Sequence, residues 1–593
     1  MELSPQNRDR LVLYDNFGSP CARRVRITLL EKSLVWDTQI IDLSRLEHRR
    51  PDYLLINPNG FVPALAHGSR VVFESNVITE YLDDLFPESL LYPVDPWHLA
   101  QVKMWQAAEG AMAKDYRTLM YQRLMGPVVR LTRTLPEALA AARRYTQSPP
   151  DLAWEERVWR LEVLSPEEEA QYENRLYRWL DRVERALEGQ EYLVGGRFSQ
   201  AEISLFPRIE MYPFVGLSIE QSRYPNVRRW LARLSPRSSF AKTHSREYEG
   251  ISRLARTPVL PWIRRVMRKP EAEWTWLQRV GTKVLGTTLR AVLKEKPVPA
   301  GTPADRRPIH VPSDGPMPPR NPPARCFVGS ASGPAREAPM TLYGAALSPC
   351  TQRIVLVLAE KELKARWVEI DIARMEHKAG SFLALNPNGE VPVLLHGERV
   401  IYENLLIAEY LDSRFPDRDQ ELLPRDAFGA AQVRMWLALE AGTHKEFRPL
   451  WYLHLVRPEL KRRGFDRASL AASLPPDVDP AHRQWILDTL DGQPRFDTSP
   501  ELARRLIESK LERLEERLRR GAFLVGDQIS YADFAWFTRA AQLEVIGVET
   551  GPDRYPGLSR WREAIAARPS IRAASAEGGL WASAARVELP RGV

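Results

Sequence analysis

The feature that most constrains this 593-residue chain is that its two halves carry the same landmarks at a fixed separation. Tyr14, Ser19, Pro20, Cys21, His48, Asn57, Pro58, Pro63, Glu74 and Tyr81 return as Tyr343, Ser348, Pro349, Cys350, His377, Asn386, Pro387, Pro392, Glu403 and Tyr410, each 329 positions later. Trp105, Gly195, Ser199, Tyr224, Pro225 and Trp230 return as Trp436, Gly526, Ser530, Tyr555, Pro556 and Trp561, each 331 positions later. Self-similarity over such a length means a domain pair copied in tandem. One copy then checks the other, since a residue kept in both is harder to ascribe to accident.

The opening third of each copy mixes strand and helix patterns. LVLY (11–14) reads as a short buried strand, ARRVRITLLEK (22–32) as an amphipathic helix, and VWDTQIID (35–42) as a second strand. A short helical stretch at 46–55 leads to the turn Asn57-Pro58-Asn59-Gly60. FVPALAHGSRVVFE (61–74) reads as a hairpin around Gly68, followed by a helix from Ser75 to about Phe86. Pro63 falls at a strand entrance, where its missing N–H does no harm. The order βαβ, α, ββα predicts three helices around a small mixed sheet, the thioredoxin-like α/β layout, and 341–415 reads the same way.

From about residue 95 strand signals stop and long helical segments follow. Ser199-Gln200-Ala201-Glu202 and Ser530-Tyr531-Ala532-Asp533 each place a hydroxyl three residues before an acid, the spacing of a helix capping box, with Phe198 and Ile529 as hydrophobic staples. The predicted fold is a thioredoxin-like α/β domain plus an all-helical domain, the pair repeated twice. The expected boundaries are 9–92 and 93–245 for the first pair, 246–338 for a basic and then proline-rich linker, and 339–421 and 422–580 for the second pair.

The net charge of +8 invites a nucleic-acid reading, but its location argues against one. Residues 251–296 carry eleven Lys/Arg against three Asp/Glu, an excess equal to that of the whole chain, so the repeats together are near neutral. The Trp and Lys/Arg mixture of this segment suits either an interfacial helix at a membrane surface or a helix packed on its own domain. From 297 to 339 about every fourth residue is proline, the composition of an extended tether. Three cysteines, Cys21, Cys326 and Cys350, make no disulfide framework, and neither a signal-peptide core nor a long apolar run is present, so the expected location is the cytoplasm.

Taken together, Ser-Pro-Cys at the first helix, Val-Pro at 62–63 and 391–392, Glu-Ser at 74–75 and the capping boxes resemble a glutathione transferase, over about 10–240 and 340–575. The resemblance implies a thioredoxin-like domain that binds glutathione and a helical domain that receives a hydrophobic electrophile, with glutathione as co-substrate and no metal. It implies cis Val62–Pro63 and Val391–Pro392 bonds facing glutathione's cysteinyl part. Ser-Pro-Cys is similar to the serine- and cysteine-type members (theta, zeta and omega), which makes Ser19 and Ser348 the catalytic candidates, with Cys21 and Cys350 as rivals. Read from the residues alone, Ser19 is equally a helix N-cap with Pro20 at the first helical position. Tyr14 and Tyr343 read as core. The rest of the implied glutathione site is His48, Val62, Pro63, Glu74 and Ser75, and in the second repeat His377, Val391, Pro392, Glu403 and Asn404. Asn404 stands where Ser75 has a hydroxyl, so the second repeat departs from the pattern at the γ-glutamyl end.

Three functions follow: transfer of glutathione to an electrophile, a glutathione-dependent thiol reductase or peroxidase working through Cys21 or Cys350, and a non-catalytic tandem scaffold or membrane-surface protein. Family members usually dimerise, so an internal pseudo-dimer or a homodimer is expected. Nothing in the helical domains identifies the second substrate.

Overall fold

The computed structural model describes residues 10–43, 46–143, 149–244, 248–250, 252, 257, 259–267, 271–292, 338–416, 421–494 and 499–576. The chain divides into two compact units, Met1–Tyr92 with Trp105–Arg320 and Pro93–Met104 with Asn321–Val593.

The first repeat opens with β1 (Leu11–Asp15), α1 (Pro20–Glu31), β2 (Trp36–Ile40), α2 (Pro51–Ile56), β3 (Ala64–His67), β4 (Arg70–Phe73) and α3 (Ser75–Leu85). The four strands form one sheet in the order β2-β1-β3-β4. β1 and β2 are parallel, as a right-handed crossover through α1 requires, and β3 and β4 form an antiparallel hairpin beside β1. Leu13 on β1 sits opposite Leu65 on β3, and both are fully buried. The second repeat builds the same sheet from β5 (Met340–Gly344), β6 (Arg366–Glu369), β7 (Val393–His396) and β8 (Arg399–Tyr402), ordered β6-β5-β7-β8. The counterparts of α1 and α3 are Pro349–Glu360 and Asn404–Arg414.

Helices follow in each repeat. In the first they are α4 (Pro96–Met120), α5 (Gly126–Thr132), α6 (Leu135–Arg143), α7 (Pro149–Arg160), α8 (Pro166–Ala186), α9 (Gln200–Ile209), α10 (Pro225–Leu234) and α11 (Ser238–Ala241). In the second, Ala427–Ala441, Pro500–Arg520 and Tyr531–Leu543 match α4, α8 and α9. α9 is buried at every residue from Gln200 to Ile209 and packs on α1, so it joins the helical domain to the sheet domain.

A buried helix start must satisfy its own free N–H groups, because water cannot. Both capping boxes form: Glu202 accepts from the Ser199 N–H at 3.0 Å and from Leu193 N–H at 2.7 Å, and Asp533 accepts from Ser530 N–H at 2.8 Å and Leu524 N–H at 3.0 Å. The acid therefore ties the preceding loop as well as the helix start.

The described residues of the basic segment include the α-helices Val259–Met267 and Trp276–Val292, and the longer runs along α5. Gly286 permits this approach, since a Cβ there would lie 2.4 Å from the Leu131 carbonyl oxygen. Arg264 donates to the Arg123 and Phe214 carbonyls. The expected proline-rich tether and Cys326 lie outside the described residues. Among the described residues no helix is long and apolar enough to cross a membrane.

Replacing Glu202 with Ala leaves two buried N–H groups without an acceptor, at about 1–3 kcal/mol each. The expected outcome is a loss of about 2–6 kcal/mol for the unit holding α9, read as a lower urea midpoint for that transition.

Candidate active site at the start of the first helix

Proline at the first helical position and serine before it fix where α1 begins. Ser19 is extended (φ −84°, ψ 119°), and its Oγ accepts from the Ala22 N–H at 3.3 Å. Ser348 does the same, accepting from Thr351 N–H at 3.4 Å. In that arrangement the serine oxygen serves the helix while its proton remains to be donated elsewhere. Cys21 and Cys350 follow two positions on, inside the first turn, and both are partly exposed. Tyr14 is fully buried, which pushes its hydroxyl up to about 12, and its role is packing against Tyr53.

The loop before β3 is shaped by Asn57. Its Nδ2 donates to the Phe61 carbonyl at 2.7 Å, and its Oδ1 accepts from Asn59 N–H at 3.0 Å. Asn386 repeats both contacts, with the Glu390 carbonyl at 2.7 Å and Asn388 N–H at 3.0 Å. Gly60 is left-handed (φ +62°), and a Cβ there would meet the His48 carbonyl at 3.0 Å. Glycine is thus what lets the 3₁₀ turn Glu47–Arg49, carrying His48, lie against this loop. The Val62–Pro63 and Val391–Pro392 bonds that follow are both cis. His48 is half-buried, whereas His377 is only 5% exposed and its Nδ1 has no hydrogen-bond partner. Burial, then Lys378, Arg448 and His482, drive the His377 pKa well below the usual histidine range, so that ring is neutral.

Glu74 and Glu403 hold left-handed backbone (φ +69° and +71°), a conformation non-glycine residues adopt at a cost. Each is pinned by its side chain: Glu74 accepts from Asn59 Nδ2 at 2.8 Å and Glu403 from Asn388 Nδ2 at 2.7 Å. The strained turn ends at Ser75 or Asn404, the first residue of the next helix. Ser75 Oγ accepts from Arg24 Nη1 at 3.2 Å, whereas Asn404 Oδ1 accepts from the Tyr531 hydroxyl at 3.1 Å. The second repeat therefore offers the Asn404 amide N–H groups at this position in place of a hydroxyl.

Beneath these loops lies a cluster that the sequence reading did not single out. Arg24 of α1 pairs with Glu109 of α4, and Arg208 of α9 donates through Nε to the same carboxylate at 2.9 Å. Arg24 also reaches Asn76 Oδ1, and Arg208 Nη2 lies 4.0 Å from Cys21 Sγ. In the second repeat Arg353 makes a bidentate pair with Glu440 (2.9 and 2.8 Å), and Arg539 Nε joins it at 2.6 Å. All six side chains are buried. Their signal was present in the sequence: 24 to 353 keeps the 329 spacing, and 109 to 440 and 208 to 539 keep the 331 spacing. A second difference between repeats lies at the loop tip, where Glu390 replaces Phe61. Among the described residues no group of three or more His, Cys, Asp or Glu side chains is placed to hold a metal ion.

Burial pushes the Glu440 carboxyl up, but Arg353 and Arg539 outweigh it and hold it at about 2, and Glu109 is lowered for the same reasons. An acid depressed in the folded state contributes stability above its unfolded pKa and loses it as pH falls toward the folded value. Stability should therefore drop between about pH 4.5 and 2, by about 3 kcal/mol for Glu440 alone. Glu440→Gln is expected to flatten that part of the pH profile in thermal melts.

Comparison with known proteins agrees with this geometry. The family model described as "Glutathione S-transferase, N-terminal domain" matches residues 18–85 and 347–414, and "Glutathione S-transferase, C-terminal domain" matches 158–237 and 485–569, together just over half the chain. Glutathione S-transferase 3 of Zea mays is 31% identical over 242 residues, covering 40% of this chain and 92% of that protein. Protein LigF of Sphingobium sp. is 29% identical over 223 residues, covering 36% and 84%. The crystal structure of beta-etherase LigF from Sphingobium sp. strain SYK-6 aligns with 40% of this chain and 99% of its own, at 24% identity and a TM-score of 0.36. The chain belongs to the glutathione S-transferase family, with the N-terminal and C-terminal domain pair present twice.

Proposed function

We propose that the protein is a glutathione transferase whose repeats each bind glutathione at the start of the first helix and transfer it, as the thiolate, to an electrophilic small molecule. The observation that carries this reading is the duplicated arrangement of a serine N-cap, a cis Val–Pro bond and a left-handed glutamate leading into a helix start. Serine hydroxyl protons at 19 and 348 can be donated to sulfur, because the oxygens already accept from the helix. The helix dipole adds positive potential at the same place. The thiol proton goes to solvent; sulfur then bonds to the electrophilic carbon, and a leaving group or π-electron pair departs from that carbon. Glu74 with Ser75, and Glu403 with Asn404, are assigned to the γ-glutamyl end, Val62 and Val391 to the cysteinyl part, and His48 and His377 to the glycyl end. The electrophile is assigned to the helical-domain side of the loop tip, at Phe61 and Glu390.

The thiol-reductase reading draws on Arg208, whose Nη2 lies 4.0 Å from the Cys21 sulfur. It is weaker at Cys350, where burial pushes the thiol up despite Arg353 and Arg539.

Calorimetric titration of the intact chain with glutathione is expected to give two sites, the second weaker because of Asn404. No binding at millimolar glutathione would remove the transferase reading for both repeats. Replacing Ser19 and Ser348 together by Ala should lower kcat/KM with an aryl halide by about 10²–10³, the usual effect of losing one directed donor to a developing anion. The Cys21→Ala, Cys350→Ala double variant should keep that activity; its loss would favour the reductase.

A further inference from the structure

We propose that Arg208 and Arg539 are positioning residues for the glutathione sulfur: each supplies the unbalanced positive charge of a buried Arg–Glu–Arg cluster, and the thiolate of bound glutathione is the anion that balances it. The inference rests on the transferase reading and specifies which charge in the protein makes the thiol acidic.

Each cluster holds two guanidinium groups and one carboxylate, so it carries one net positive charge in a region closed to water. A buried charge without a counter-ion costs several kcal/mol, and proteins retain one where a ligand or a function supplies the partner. The free donors agree with this bookkeeping. Arg539 is 1% exposed, and its Nη1 has no hydrogen-bond partner. Its Nε is committed to Glu440 at 2.6 Å. In the first repeat the corresponding group is aimed: Arg208 Nη2 reaches to within 4.0 Å of Cys21 Sγ, in the first turn of α1, two residues after the Ser19 cap. The spare positive charge therefore lies directly below the helix start where the serine hydroxyl proton is available.

The charge survives where neighbours have changed. Ser75 has become Asn404, Phe61 has become Glu390 and Ala113 has become His444, yet Arg24, Glu109 and Arg208 all recur. A purely structural tie between helices would be served as well by a neutral pair of one arginine and one carboxylate, or by apolar packing. The extra guanidinium is the part that tie does not explain.

The groups that face the site fix the expected sign. In the first repeat they are Cys21 and Arg24 from α1, Glu109 and Tyr116 from α4, Arg208 from α9 and Glu74 from the strained turn. In the second they are Cys350, Arg353, Glu440, His444, Arg539, Tyr531, Glu390, Arg448 and Lys510. His444 is held neutral by burial and by Arg539, so it adds no charge, whereas Glu390 opposes the arginines.

The test is the ultraviolet absorbance of glutathione thiolate on the full-length protein, titrated with pH beside calorimetry. Arg208→Met with Arg539→Met should raise the apparent pKa of the bound thiol by about one unit or more, the usual effect of removing a close opposite charge. The corresponding double Lys variant should stay near the parent. Glu109→Gln with Glu440→Gln should move the pKa the other way, because it adds net positive charge. A structural role would not produce opposite shifts. If glutathione binds the Met variants with an unchanged thiol pKa, the inference is overturned while the transferase reading stands. If the Met variants do not fold, a rise in pKa with the Gln variants overturns it instead. Thiolate absorbance that is present without glutathione and vanishes in Cys21→Ala would show that a protein cysteine balances the charge, which also overturns it. Absence of glutathione binding to the parent protein would remove both readings together.

Discussion

One carboxylate between two guanidinium groups organises each repeat. Glu109 receives Arg24 from the first helix of the sheet domain and Arg208 from the central helix of the other domain, and Glu440 receives Arg353 and Arg539 in the same way. Three elements from two domains thereby meet at one point. Such a cluster is poor glue, because desolvating the ions consumes most of what their attraction returns. What it enforces is geometry: a wrong docking angle would strand a buried charge, so alternative arrangements of the domains are excluded by several kcal/mol. The helix start and the loops above it inherit their positions from that junction.

The copies share this frame and differ in the loops and helix starts beside it. Arg24 divides its donors among Glu109, Ser75 and Asn76, whereas Arg353 gives both terminal nitrogens to Glu440 and leaves Asn404 to Tyr531. The change from Ser75 to Asn404 is thus one part of an exchange that also recruits a tyrosine hydroxyl. At the loop tip an exposed aromatic, with Arg117 over its ring, is exchanged for a carboxylate that acts on His444, Lys378 and Cys350.

Much of this was legible in the residues. Alternation and helical period placed all four strands and the first and third helices to within a residue or two, because apolar burial sets both periods. Ser-Pro marked the helix start, and the two acid-terminated boxes marked the buried central helix, since local chemistry decides caps. The arginine clusters were not legible in the same way. The helical period of 22–32 does not say which face Arg23, Arg24 and Arg26 take, yet all three are buried, and only partners from distant helices make that possible. The Trp and Lys/Arg mixture of 251–296 read as helical, on a membrane or on its own domain, but composition did not choose between these, and the helix Trp276–Val292 runs along α5. Left-handed backbone at Glu74 also has no local signature, because it is imposed by Asn59 across the turn.

The Asn57 and Asn386 clamps have a consequence for how a duplicated enzyme diverges. They grip the carbonyl oxygens of residues 61 and 390, not the side chains. A mutation at that codon changes the side chain at the loop tip while the main chain leading to the cis proline keeps its path. Selection can therefore act on one codon in either copy without first crossing a valley of misfolded intermediates. Tandem copies bound by such main-chain grips are free to specialise separately while a single gene keeps them in equal number.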